Sequence, residues 1–230
     1  MTALTAYEAG LSEGVDCWLY GSDGTRRLLP LGRWIADADQ RDTEIVAATV
    51  AGLVAQPGGR PGTGTVLDVG CGPGRLTAAV AATGVLAIGI DISTAAVALT
   101  RARGARALRA DVFGAVPRLG RWDRVLLADG NLGIGGNPVA LLARAAELLA
   151  PGGRVIAEVE PAGGIRCAQA WIEATRAGAD GPERIGGSLP WAWVGVDAVT
   201  DLAHRCGLTV RSVSRRPEHC VAVWEKAIPR

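Results

Sequence analysis

Through the middle of the chain, short apolar runs alternate with longer stretches whose apolar residues recur every three or four positions. "GTVLDVG" (64–70), "LAIGID" (86–91), "RALRAD" (106–111), "DRVLLAD" (123–129) and "GRVIAEVE" (153–160) are the short runs. Each has the length of a strand. Between them, "GRLTAAVAATG", "STAAVALTRARG" and "PVALLARAAELLAPGG" carry helical periodicity. Ser93 is placed to cap the second helix, and Pro138 stands at the first position of the third. Strands alternating with helices of this length predict parallel β-α-β units covered on both faces.

The flanks read differently. "VDCWLYGSDGTRRLLPLGRW" places Asp-Gly between two apolar stretches, which predicts a hairpin of Val15–Tyr20 with Thr25–Leu31. "QRDTEIVAATVAGLVA" predicts a helix, and "QPGGRPGTG" a linker into the core. After Pro161, "GIRCAQAWIEATR" fits a strand or a helix. The reading adopted is an extended arm paired with "SLPWAWVG". "VDAVTDLAHRCG" predicts a helix capped by Gly207, and "LTVRSVSR" and "CVAVWEKA" predict two closing strands. The fold class is therefore α/β, a seven-stranded, mostly parallel sheet with helices on both faces, an N-terminal hairpin lid and an inserted arm. One domain is expected in four parts: lid 1–60, core 61–160, capping arm 161–196, closing elements 197–230.

Composition narrows the function. At 230 residues with 49% hydrophobic and 20% charged residues, the chain can fold around one large core. The formal net charge is +1 with no basic stripe, which speaks against duplex nucleic acid as a partner. Cys17, Cys71, Cys167, Cys206 and Cys220 show no paired spacing, so buried reduced thiols are expected and no metal. No apolar run has the length of a membrane span, and no basic segment followed by an apolar one opens the chain. A cytoplasmic protein that meets no membrane is expected, as monomer or homodimer.

The chemistry lies at the strand ends. "VLDVGCGPGRL" turns from strand to helix through Gly70, Gly72 and Gly74. A dinucleotide fingerprint needs the third glycine one residue later. Here an acid, Asp68, stands just before the turn, which disfavours a phosphate and favours an amine.

These residues resemble the first motif of class I S-adenosylmethionine-dependent methyltransferases, with a Rossmann-like fold. Further landmarks follow in order: Asp91 closing "LAIGID", Asp111 in "RADVF", and "LLAPGGRVI" before the fifth strand. The resemblance covers roughly Thr65 to Glu160. It implies that Asp68, Gly70, Cys71, Gly72 and Gly74 hold the methionine part of S-adenosyl-L-methionine. It further implies Asp91 on the ribose hydroxyls, with Ile92 beside it, and Asp111, Val112 and Phe113 around the adenine. S-adenosyl-L-homocysteine is then the product. A carboxylate offers two acceptor oxygens to two hydroxyls, which suits Asp91. Helix capping or a solvated turn is the competing role for Asp91 and Asp111.

A second glycine loop, "LADGNLGIGGNP" (127–138), follows the fourth strand, the side on which open sheets bind ligands. In the resemblance it faces the transferred methyl. Asp129 and Asn131 are therefore catalytic candidates, Asp129 also touching cofactor, with Glu158 and Glu160 as further acids and Asp129 the first choice of base. Gly133, Gly135 and Gly136 would let backbone approach ligand; a plain turn is the alternative. The Pro-Pro-aromatic and Pro-Cys signatures of nucleic-acid enzymes of this fold are missing. His204 and His219 are read as structural. Seven Trp accompany two Tyr and one Phe. Tyr7, Tyr20, Trp34, Trp171, Trp191 and Trp193 are lid candidates over an apolar acceptor, whereas Trp122 and Trp224 are read as core.

The expected function is methylation of a small molecule at oxygen or nitrogen in bacterial secondary metabolism. A non-methylating enzyme of the same fold, such as a cyclase or isomerase, and an RNA or protein methyltransferase are the alternatives.

Overall fold

The computed structural model describes residues 2–53, 64–174, 183–216 and 220–229. The chain opens with α1 (Ala3–Glu13), then the hairpin β1 (Cys17–Gly21) and β2 (Arg26–Leu29), α2 (Leu31–Ile35) and α3 (Thr43–Val50). The core runs β3 (Thr65–Val69), α4 (Arg75–Ala82), β4 (Leu86–Asp91), α5 (Thr94–Ala102), β5 (Arg106–Arg109), β6 (Trp122–Leu127), α6 (Pro138–Leu148) and β7 (Leu149–Val159). It is followed by β8 (Ile165–Ala174), β9 (Glu183–Val194), α7 (Val199–Cys206), β10 (Leu208–Arg215) and β11 (Cys220–Lys226).

The expected seven-stranded sheet is present, in the order β10-β11-β7-β6-β3-β4-β5. Strands β7, β6, β3, β4 and β5 are parallel, and β11 and β10 close one edge antiparallel. Every residue of β3 is buried, as a central parallel strand requires. One face packs Leu141, Leu142 and Leu148 of α6 and Leu202 of α7. The other packs Ile45 of α3 and Leu76 and Val80 of α4. The helix ends follow the predicted chemistry. Ser93 accepts from the Ala96 N–H, Asn137 caps α6 with Pro138 at its start, and Gly207 ends α7 in the left-handed conformation. Trp122 and Trp224 are core, their indole N–H groups donating to the carbonyls of Pro117 and Val199.

Two features go beyond the sequence reading. The hairpin and the arm are one structure: β8 pairs antiparallel with both β9 and β1, making a second sheet ordered β2-β1-β8-β9. In it β8 and β9 pair with Ala168 opposite Trp191 and Ala170 opposite Leu189. The second feature is α1, capped by the Thr2 hydroxyl and ended by Gly14. Its Ala6 and Leu11 join Leu19, Leu31, Ile172 and Trp193 in a separate apolar cluster against this sheet. Glu8 docks α1 on the core by accepting from the Ser93 hydroxyl and the Thr94 N–H at the start of α5. An acid there also meets the positive end of the helix dipole.

The 56–64 linker lies outside the described residues except for Gly64, as does His219. Cys17, Cys71 and Cys220 are buried as expected, but Cys167 is exposed because it sits on the outward side of β8. Among the described residues no helix is long and apolar enough to cross a membrane.

Candidate active site

A cavity of about 490 Å³ lies at the carboxyl ends of β3, β4, β5 and β6. Its floor is the first glycine loop and the residues that end these strands. Its roof comes from α1, α2 and the second sheet. The roof is apolar: Leu4, Leu19, Leu29, Trp34, Ile172 and Trp191 all reach it.

The glycine loop is shaped for close backbone approach. Gly70 and Gly72 have φ of +69° and +54°, which favours glycine. A side-chain carbon at Gly72 would stand 3.2 Å from the Tyr7 hydroxyl. Tyr7 lines the cavity from α1, and burial, followed by the charge of Asp91, pushes its phenol up. Asp91 is buried on the cavity wall, its two oxygens accepting from the N–H groups of Gly72 (3.0 Å) and Ser93 (2.8 Å). Burial also raises its carboxyl above the usual range. Ile92, Val112 and Phe113 flank the same wall; Ile92 and Phe113 leave large apolar surfaces exposed at its mouth. Asp111 lines the wall too, accepting from the Phe113 N–H at 2.9 Å.

Asp68 and Gly74 stand behind this wall. Asp68 is buried and takes the Thr77 hydroxyl at 2.6 Å; burial pushes its carboxyl up to about 6. Gly74 begins α4 at φ +83° and makes room for Thr100. Cys71 lies on the wall, but burial raises its thiol far above the ordinary value.

The second glycine loop differs from expectation. Asp129 reaches the cavity, yet its carboxylate is bound at both oxygens by Arg75, at 3.1 and 2.9 Å. Arg75 also contacts Asp42 at 3.1 Å, and Arg33 bridges Asp42 at 2.7 Å and approaches Asp129 to 4.0 Å. The Asp129 N–H donates to Glu158 at 2.6 Å. Asp129 is thus held in an ion pair and is not a free carboxylate. Asn131 lines the cavity and donates through Nδ2 to the carbonyls of Val69 (2.9 Å) and Gly70 (2.8 Å), tying the two loops together.

The loop's glycines serve the roof. A side-chain carbon at Gly133 would run into the Ala192 carbonyl and lie 2.7 Å from the Trp191 indole nitrogen. One at Gly136 would meet Pro190 at 2.9 Å, and one at Gly130 would strike Arg27. Gly135 alone among the three predicted ligand glycines lines the cavity.

Other expected site residues fall elsewhere. Glu160 pairs with Arg27 outside the cavity, and Glu158 sits behind the loop beside it. Of the lid candidates, Tyr7, Trp34 and Trp191 line the cavity. Tyr20 and Trp171 lie opposite each other on β1 and β8 away from it, and Trp193 is buried against Gly21. Alternation puts Tyr20 and Trp171 on the face opposite Leu19 and Ile172, which line the cavity. Trp191 and Trp193 share a face of β9, but the second packs under the hairpin. Arg75, Asp42 and Glu8 are the site residues missed by the sequence reading. Arg75 follows the motif directly in "GPGRL", where a buried arginine beside a turn is the available signal. Among the described residues no three His, Cys, Asp or Glu cluster as a metal would require.

The fold is the Rossmann-like fold of methyltransferases. Residues 66–153 match the family model described as "Methyltransferase domain", and the cofactor of that family is S-adenosyl-L-methionine. No curated protein sequence matches the chain. Several solved structures share the fold. A methyltransferase from Bacteroides fragilis, in complex with S-adenosyl-L-homocysteine, is 17% identical with a TM-score of 0.70, covering 98% of this chain and 94% of that one. The 1,6-didemethyltoxoflavin-N1-methyltransferase of Burkholderia thailandensis is 20% identical, TM-score 0.60, covering 85% and 82%. An amino pentose methyltransferase from Micromonospora echinaspora is 17% identical, TM-score 0.55, covering 85% and 94%.

Proposed function

We infer that this protein transfers the methyl group of S-adenosyl-L-methionine to oxygen or nitrogen of a small-molecule acceptor, in bacterial secondary metabolism. The observation that carries the reading is the roofed cavity itself. Its floor holds a buried carboxylate, Asp91, and a bare glycine backbone; its roof is apolar and aromatic. The donor set fits the cofactor. Asp91 retains lone pairs for two ribose hydroxyls beyond its two backbone bonds. Ile92, Val112 and Phe113 offer apolar surface to a purine, and Asp111 an acceptor to its amino group. The backbone of Gly70, Cys71 and Gly72 receives the methionine end, with Asp68 behind it gaining from a cation nearby.

The bound cofactor supplies an electrophilic methyl group on a good leaving group. The protein's part is therefore to align and to exclude water. Leu19, Leu29, Trp34 and Ile172 present a dry surface to the acceptor. The Arg75 clamp fixes Asp129 and, with Asn131, holds the end of β6 against the glycine loop. The toxoflavin and amino pentose enzymes, which share this fold, act on small molecules.

The test is Asp91→Ala. Losing charged hydrogen bonds weakens S-adenosyl-L-homocysteine binding by about 1–3 kcal/mol, roughly 5- to 150-fold, by calorimetry. A folded variant with unchanged affinity contradicts the ribose role. Label from methyl-labelled cofactor appearing in RNA or protein contradicts the small-molecule role.

A further inference from the structure

We propose that the acceptor is a nitrogen nucleophile that enters as the free amine, and that no side chain of the protein removes its proton. This rests on the methyltransferase reading above.

At the β6 end of the cavity the acids are already committed. Asp129 carries both bonds from Arg75, and Asp42 is shared by Arg75 and Arg33. Glu158 and Glu160 lie outside the cavity, the first receiving the Asp129 N–H and the second pairing with Arg27. Asp91 and Asp111 stand at the nucleoside end, the first accepting two backbone N–H groups and the second one, from Phe113. His204 is exposed in the last turn of α7, off the cavity wall. Tyr7 and Cys71 are kept protonated by burial. Among the described residues, this wall holds no free carboxylate and no imidazole.

What the wall does offer is Asn131. Two backbone carbonyls take its Nδ2, and only a donor can face them, so the amide orientation is fixed. Its Oδ1 has no partner among the described residues. An amide oxygen accepts a hydrogen bond but does not take a proton at neutral pH. An alcohol must shed its proton before or during attack and finds no group there to receive it. An amine needs no base. Its lone pair forms the N–C bond as the C–S bond breaks. The positive charge passes from sulfonium to nitrogen, the thioether leaves neutral, and the ammonium product gives its proton to water on release. An N–H of the attacking amine can rest on Asn131 Oδ1 throughout. The apolar roof adds selection, because it penalises the charged ammonium and favours the free amine on entry.

The experiment incubates the full chain with methyl-deuterated S-adenosyl-L-methionine and a small-molecule extract of the cells that make it. Mass spectrometry and NMR then locate the label. Label on nitrogen is expected. The log of kcat/KM should rise with pH to a plateau at the amine's own pKa. That midpoint should shift down when a β-fluorinated, less basic analogue replaces the amine. Label on oxygen or carbon overturns the inference alone, as does a midpoint that stays fixed between the two amines. No label from a protein that still binds S-adenosyl-L-homocysteine overturns the methyl-transfer reading, and the inference falls with it.

Discussion

Replacing Asp129 by Asn separates a clamp from a catalytic base. The residue has φ of +53°, a conformation that Asn adopts about as readily as Asp, so the change removes charge without straining the backbone. Arg75 is 4% exposed and Asp129 22%. Breaking a buried pair by removing one partner costs about 3–5 kcal/mol. Here Asp42 still faces Arg75 at 3.1 Å, and the Asn oxygen can keep one of the two bonds. The expected loss is therefore smaller, about 1–3 kcal/mol. For a chain of this size each kcal/mol moves Tm by about 2–4 °C, so a fall of about 2–12 °C is expected. Urea unfolding and a thermal melt measure it directly. Asp129→Ala should lose about 1–2 kcal/mol more, because alanine resists the left-handed backbone. A general base contributes about 10²–10⁴-fold to rate. An Asn variant as stable as the parent that loses methyl transfer on that scale would refute the clamp.

Gly133→Ala tests the roof: the added carbon meets the Ala192 carbonyl and the Trp191 indole, and overpacking of this kind destabilises by about 1–3 kcal/mol in urea unfolding. Unchanged stability would mean that β9 does not sit on this loop. Asp68 predicts a pH dependence. Its folded carboxyl titrates near 6 against 3.8 for the free group, so the folded state holds the proton more tightly. Stability from this residue is complete below about pH 4 and falls through about pH 6, by about 2–3 kcal/mol. Asp68→Asn should flatten that slope between about pH 4 and 6; an identical slope in the variant would contradict the assignment.

The parallel core was legible because a strand buried on both faces writes itself as an unbroken apolar run, as in "VLLA" (125–128), and because caps such as Ser93 and Asn137 have local chemistry. Asp91, Val112 and Phe113 could be placed for the same reason: they end strands whose positions were readable. The helix at Ala3–Glu13 was missed although Thr2 and Gly14 bracket it, since Gly10 interrupts its apolar stripe. That glycine is needed there: a side-chain carbon would meet Leu31 at 2.6 Å and Cys17 at 2.8 Å. The second sheet was half visible. Pairing of the arm with itself follows from its strand patterns, but its pairing with β1 joins segments about 150 residues apart, which no local pattern encodes. The fate of Asp129 and of the loop glycines was hidden for a related reason. A carboxylate at a strand end reads as a base until its counter-ion is known, and Arg75, Asp42 and Arg33 come from three separate segments. Glycines that admit a strand look the same as glycines that admit a ligand.

The most direct test is a crystal structure of the protein with S-adenosyl-L-homocysteine. The ligand is predicted in the cavity beneath α1, its ribose hydroxyls on Asp91 and its adenine between Ile92 and Phe113. A ligand bound elsewhere, or a nucleoside that leaves Asp91 uncontacted, would contradict the assignment of this cavity as the cofactor site.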